Sequence, residues 1–368
     1  MVADEPSGVR RLLALVLAGI LVVAIAIGIF VAAGGGKKKT VLVTGLSGSE
    51  KLPFFQDARV VKRLHDLGFD ISVEPAGSRE IATKFDLTKY DFAFPAGVPA
   101  AQQIKNKFKT LPPYSVFYTP MVIASFKPVA DILERNGIVK READGTYSFF
   151  VSKYLDLVAA GRHWRDLTDP KGYAVDKRVI VTTTDVRTSN SAAMYLSLAS
   201  YVLNNNEPVT TPAQANAIMP TLTTLFLEQG FVSSTSEQPF DDYLTIGIGK
   251  SPLVMIYESQ FVARAALHDG SITSDMVLLY PKPTVLSKHT FVPLTPNGDR
   301  LGKALTTDSK LEALEVEYGF RAGPPARFRA FATTNHVPVR ETILDTVDPP
   351  SYEILEYMIS RIEKAYTP

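Results

Sequence analysis

Residues 176–196 read DKRVIVTTTDVRTSNSAAMYL. Val179-Ile180-Val181 is apolar and β-branched, and 179–184 is expected to form a strand. From Ala192 to Leu203 apolar residues recur at helical spacing, so a helix is expected to start near residue 192. Between them lies the corner Asp185-Val186-Arg187-Thr188-Ser189-Asn190-Ser191, polar at every position but Val186. A strand, a polar corner and a helix form one unit of an open α/β sheet, and such sheets bind ligands at the carboxyl ends of their strands.

The same alternation runs along the chain. Thr40 to Thr44 reads as a strand, followed by the loop Gly45-Leu46-Ser47-Gly48-Ser49-Glu50-Lys51. Pro53 suits a first helical turn, and Phe54, Ala58, Val61, Leu64 and Leu67 continue one helix that Gly68 stops. Strands are expected over 69–74 and 90–95, the latter ending in Ala96-Gly97-Val98-Pro99. A long apolar strand covers 115–126, and further strands cover 253–258 and 276–281. Helices are expected around 308–318 and 351–366. Strands alternating with helices indicate a parallel α/β sheet. One long strand leaves the first lobe and another returns, which gives two lobes joined by a two-strand hinge. The loops after strands 40–44, 90–95 and 179–184 would then face one cleft.

Composition excludes several functions. The chain has 368 residues, 46% of them hydrophobic, enough for about two domains. Beyond residue 39 the formal charge is −2, so no basic field exists to hold nucleic acid. With no cysteine there are no disulfides, thiolate metal sites, cysteine nucleophiles or lipidated cysteines. Gly247-Ile248-Gly249-Lys250-Ser251 lacks a phosphate-loop glycine, because Leu244 stands where it is needed. Gly45-Leu46-Ser47-Gly48-Ser49 ends on serine where a nucleophile elbow needs glycine. The histidines at 65, 163, 268, 289 and 336 have no zinc spacing and read as surface or hydrogen-bonded residues. No cofactor, no metal and no enzyme activity are expected.

Residues 12–33, LLALVLAGILVVAIAIGIFVAA, carry no charge and would span roughly 33 Å as a helix, close to the thickness of a bilayer core. The run exceeds a signal-peptide core, which favours an uncleaved anchor over cleavage after Val31-Ala32-Ala33. The expected organisation is a leader 1–11, a transmembrane anchor 12–33, a Gly/Lys spacer 34–39, lobe one over 40–120 and 257–368, and lobe two over 121–256. Arg10-Arg11 and Lys37-Lys38-Lys39 pull the orientation in opposite directions. Large domains cross largely regardless of charge, so the placement of 40–368 outside the cytoplasm rests mainly on the resemblance below.

His163-Trp164-Arg165-Asp166-Leu167-Thr168-Asp169-Pro170-Lys171-Gly172, followed by the strand, the polar corner and its helix, resembles the second lobe of type II periplasmic solute-binding proteins. Tyr118 to Ile123 resembles that family's first crossover, and Leu253 to Gln260 its return. Tyr280-Pro281-Lys282-Pro283-Thr284, with His289 and Val292-Pro293-Leu294 after it, resembles the re-entry into lobe one. Glu317-Tyr318-Gly319-Phe320-Arg321 resembles the ending of membrane-anchored members. The chain departs from the family at the corner, with Asp185-Val186 in place of Asp-Pro and Ser189-Asn190-Ser191-Ala192 in place of Ser-x-Ser-Gly.

The resemblance implies a type II two-lobe fold and a ligand cleft. In lobe two, Thr184, Asp185, Arg187, Thr188, Ser189, Asn190 and Ser191 would line it. The helix N-terminus there favours an anion, and Arg187 can add a bidentate contact. Two alternatives stand beside this: simple capping by one of the three residues 189–191, and Asp185 holding Arg187. Lobe one would contribute Ser47, Ser49, Glu50, Lys51, Ser78, Arg79, Ala96 and Gly97. Tyr257 and Glu258 lie at the return hinge, where Tyr257 also reads as hinge packing. The leading expectation is a membrane-tethered, extracytoplasmic solute-binding protein. It would close on a small polar solute, an anion among the candidates, and deliver it to an ABC-type permease. The alternative is a sensory or scaffold module that uses the same cleft to report ligand or bind a partner protein.

Overall fold

The computed structural model describes residues 39–230, 233 and 237–366, nearly all of them within the compact unit Val41–Pro368. Among these residues no helix is long and apolar enough to cross a membrane; the apolar run 12–33 lies outside them.

The described strands are β1 (Val41–Ser47), β2 (Phe69–Pro75), β3 (Phe92–Phe94), β4 (Tyr114–Phe126), β5 (Val139–Arg141), β6 (Tyr147–Phe150), β7 (Leu253–Tyr257), β8 (Met276–Lys282), β9 (Thr284–Pro293) and β10 (Thr346–Val347). Their order is β2-β1-β3-β9-β4-β8-β6-β5, with β7 also on β4 and β10 on β9. β1 pairs in parallel with β2 and β3, and β9 joins β3 antiparallel.

β4 changes partners along its length within one ten-stranded sheet. Its first part, Tyr114 to Pro120, pairs antiparallel with β9. Its second part pairs antiparallel with β7 from Met121 and with β8 from Ile123. Pro120 stands at the handover, where a residue without a backbone N–H is tolerated because the ladder changes partner there. Apart from its first residues the strand is almost entirely buried, as its run of aromatic and β-branched side chains requires. Each such side chain contributes about 1.5–3 kcal/mol of burial.

The fold differs locally from the sequence expectations. The helix expected over 53–67 is broken at Asp57, which accepts the Arg59 N–H at 2.7 Å and caps a second helix, Ala58–Asp66. Asp57 competes with the helix for backbone donors, as aspartate does wherever its side chain reaches an N–H two residues on.

The strand expected over 179–184 forms no ladder. It is an extended segment with one bridge, Thr182 to Val254. Side chains take two of its donors: the Tyr154 hydroxyl accepts from Val181 N and Gln229 Oε1 from Thr183 N, while Val179 N and Ile180 N donate to the carbonyls of Arg162 and Arg178. The helix after the corner spans Asn190–Leu203, two residues earlier than its apolar pattern suggested. The C-terminal helix Tyr352–Tyr366 packs on the helices Pro212–Leu227 and Val98–Lys107. The Tyr366 hydroxyl donates to Phe226 O at 3.1 Å, and the Tyr357 hydroxyl to Asn216 Oδ1 at 2.8 Å.

Candidate functional site

A buried polar network lies where β4, β7 and β9 meet. Lys51, in the short turn after β1, is wholly buried and hydrogen-bonded to Glu50. Its Nζ lies 3.2 Å from His289 Nδ1 and 4.8 Å above the Phe94 ring. An amine beside an imidazole nitrogen donates to it, so Nδ1 is the acceptor and Nε2 carries the proton. That Nε2 lies 3.3 Å from Ser287 Oγ, and Ser287 donates onward to Ala96 O. Asn190, at the head of its helix, reaches the same place. Its Nδ2 donates to the Tyr257 hydroxyl at 3.1 Å and to Ala96 O at 3.4 Å. The network therefore joins the loops after β1 and β3 to the corner on the other side of the crossover.

The backbones approach closely here. A Cβ at Gly97 would come within 2.5 Å of Asn190 Oδ1, and one at Gly77 within 2.6 Å of Thr188 O. Only glycine allows both contacts.

Burial sets the charge states. It lowers the Lys51 pKa, although Glu50 opposes that shift. It drives His289 well below its usual range, and the Lys51 charge adds to this, so the imidazole is neutral. Burial, then the Glu50 charge, raises the Tyr257 phenol. Burial also raises Glu237, with Glu50 and Asp241 next in effect, so a second acid lies within electrostatic reach of Glu50.

His289 makes stability depend on pH. The unfolded chain takes up a proton near pH 6.5 and the buried imidazole does not. The stability His289 contributes is therefore present above about pH 6.5 and lost as pH falls below it. Urea unfolding from about pH 7.5 to pH 5 should show this loss, and His289→Gln should flatten it. An unchanged slope in the variant would refute the assignment.

The corner itself is taken up largely by its own side chains. Arg187 Nε donates to Asp185 at 2.9 and 3.0 Å, and Arg187 Nη2 donates at 2.5 Å. Arg187 also lies 4.9 Å over the Tyr366 ring. Desolvation opposes the Asp185 charge, but the Arg187 hydrogen bonds outweigh it and hold the carboxyl below its usual range. Arg187 is thus held by Asp185, one of the two roles weighed for it. Ser189 sits at the N-cap without a side-chain cap bond, which corrects the capping expectation. Its hydroxyl meets Ser191 Oγ at 2.9 Å, and Ser191 meets Thr184 Oγ1 at 2.8 Å. Thr188 Oγ1 donates to Asp185 O at 3.5 Å.

Among the other expected residues, Arg79 bonds Glu356 of the C-terminal helix at 2.7 Å and Arg187 O at 2.7 Å. It ties the two segments together at the edge of the small cavity beside the corner. Ser78 is buried and accepts from Ala96 N at 2.9 Å. Ser47 is buried with its hydroxyl toward Gly48 O, and Ser49 is half-buried in the turn. Glu258 lies apart from the network, in a buried ion pair with Arg321 at 2.7 Å, which corrects its expected place in the cleft. Between corner and C-terminal helix, the cavity bounded by Ser78, Arg79, Ser189, Asn190 and Glu356 measures about 30 Å³.

His289 is the hydrogen-bonded histidine that the sequence allows, but its place in this network, and Ser287 beside it, are not legible from local pattern. Both lie in β9, where Val285, Ser287, His289 and Phe291 alternate on its buried face.

No protein-family model matches the chain, and no curated protein matches it in sequence. Solved structures do share its fold. The sulfate-binding protein SubI from Mycobacterium tuberculosis H37Rv is 13% identical with a TM-score of 0.53, covering 86% of this chain and 96% of SubI. An ABC transporter solute-binding protein from Thermotoga lettingae, bound with α-D-tagatose, is 14% identical with a TM-score of 0.54, covering 89% and 94%. An ABC substrate-binding protein from Listeria monocytogenes, in complex with cycloalternan, is 10% identical with a TM-score of 0.53, covering 89% and 99%. The chain thus has the two-lobe α/β fold of ABC-transporter substrate-binding proteins.

Proposed function

We propose that this chain is a non-enzymatic solute-binding protein that closes two lobes on a small polar solute and serves an ABC-type permease. One observation carries the reading: the polar network of Lys51, His289, Ser287, Tyr257 and Asn190 bridges the segments that the fold brings face to face. A solute entering between them would exchange hydrogen bonds with groups that now bond one another, which couples binding to closure. The cations near the cleft are engaged, Arg187 by Asp185, Arg79 by Glu356 and Lys51 by Glu50. The acids Glu50 and Glu237 stand close by. This balance favours a neutral, hydroxyl-rich solute such as a sugar or polyol over an anion. The apolar run 12–33 would tether the protein to the membrane, with the lobes outside the cytoplasm.

Thermal-shift titration with sugars, polyols, amino acids and oxyanions tests this. A hydroxylated solute should raise Tm with concentration. Asn190→Ala should weaken that solute about tenfold, the equivalent of one hydrogen bond of about 1.4 kcal/mol. A response only to oxyanions, or unchanged affinity in Asn190→Ala, would contradict the reading. The small cavity beside the corner gives the scaffold alternative its one support. That alternative holds if no solute shifts Tm while a protein partner does.

A further inference from the structure

A much larger cavity, about 690 Å³, opens on the β8 side of the sheet, away from the network. It lies between the β5–β6 hairpin, the end of the helix Glu258–Ala265, the start of β8 and the segment 335–338. Its volume is within the range of small-molecule sites, about 300–1,000 Å³. Its floor is apolar, with Tyr147, Phe261 and Leu278. Three cationic side chains line it: Lys127, Arg141 and Arg264.

Arg264 is engaged, bonded to Ser271 Oγ at 2.6 Å and paired with Asp269 at 3.0 Å. Lys127 and Arg141 are exposed and, among the described residues, neither makes an ion pair within 4.0 Å. Asp269 is the one acid in the lining, and Arg264 already neutralises it. The lining is therefore cationic above an apolar floor, with Arg141 6.0 Å over the Tyr147 ring and Asp131 and Glu134 behind the lining within electrostatic reach of that ring. On the rim, His268 Nε2 lies 2.9 Å from Asn335 Oδ1.

We infer that this cavity is a second binding site, for a small organic carboxylate with an aromatic or branched apolar body. The carboxylate would meet Arg141 and Lys127, and the apolar body would lie over Tyr147 and Phe261. A guanidinium holds a carboxylate bidentately, and the apolar floor rewards a body that mineral anions lack. The site is independent of the interlobe network and of the function proposed for it.

Fluorine NMR titration of the protein with 4-(trifluoromethyl)benzoate tests the inference, with neutral 4-(trifluoromethyl)benzyl alcohol as comparison. The benzoate should bind saturably and at least about tenfold more tightly than the alcohol. Arg141→Ala should remove most of that preference, and Ala265→Trp, which fills the cavity, should abolish binding of both. Asn190→Ala should leave the benzoate unaffected. Arg141 is exposed, so its variant decides the matter even where Ala265→Trp unfolds. Equal affinity for benzoate and alcohol, affinity unchanged by Arg141→Ala, or no saturation by about 5 mM benzoate would overturn the inference.

Discussion

Arg321→Ala is expected to destabilise the protein by about 3–5 kcal/mol, because it strands a buried carboxylate. Glu258 is fully buried, and Arg321 meets it through Nε at 2.7 Å and Nη2 at 2.9 Å. The Tyr280 hydroxyl donates to the same carboxylate at 2.6 Å. Arg321 also donates to the carbonyls of Arg340 and Glu341 and lies 4.4 Å over the Phe328 ring. Its backbone bridges Tyr118 in the middle of β4. The pair therefore pins the C-terminal segment to the crossover strand. Urea unfolding measures the loss. Arg321→Met combined with Glu258→Leu should recover most of it, since removing both charges leaves nothing unpaired. A loss below about 1 kcal/mol for Arg321→Ala would show that water reaches Glu258.

Trp164→Ala is expected to cost about 3–5 kcal/mol, the usual penalty for deleting a buried aromatic side chain. Trp164 is 1% exposed and meets the Tyr173 ring edge-on, with centroids 5.3 Å apart. Its backbone N–H, which the variant keeps, donates to Lys177 O at 2.9 Å and ties the turn Trp164–Asp166 to the segment leading to the corner. Hydrogen exchange at 179–191 should rise in this variant more than exchange in β1 and β2. Uniform protection loss, or a destabilisation under about 1 kcal/mol, would contradict this placement.

The fold was legible where apolar patterning is long and continuous. Residues 115–126 read as one strand and form β4, and 351–366 read as one helix and form Tyr352–Tyr366. Reading failed where a side chain overrides the backbone pattern. Asp57 breaks a helix that the apolar spacing carried through it, and Tyr154 and Gln229 replace a ladder at 179–184. At the candidate site the corner was legible as a polar address, and Asp185 holding Arg187 was one of the two roles weighed for it. Lys51 was named without its burial, because the sequence does not show that His289, 238 residues away, accepts its hydrogen bond. Long-range pairs of this kind depend on the sheet order, which local patterning does not contain.

The central claim is that two lobes close on a solute at the crossover network, and a distance measurement between them tests it most directly. The chain has no cysteine, so spin labels can be placed singly at Val61→Cys and Ile246→Cys, both exposed. Pulsed electron resonance should resolve two distance populations, and the solute that raises Tm should shift them toward the shorter one, with Asn190→Ala weakening the shift. A single distribution unchanged at saturating solute would contradict closure between lobes.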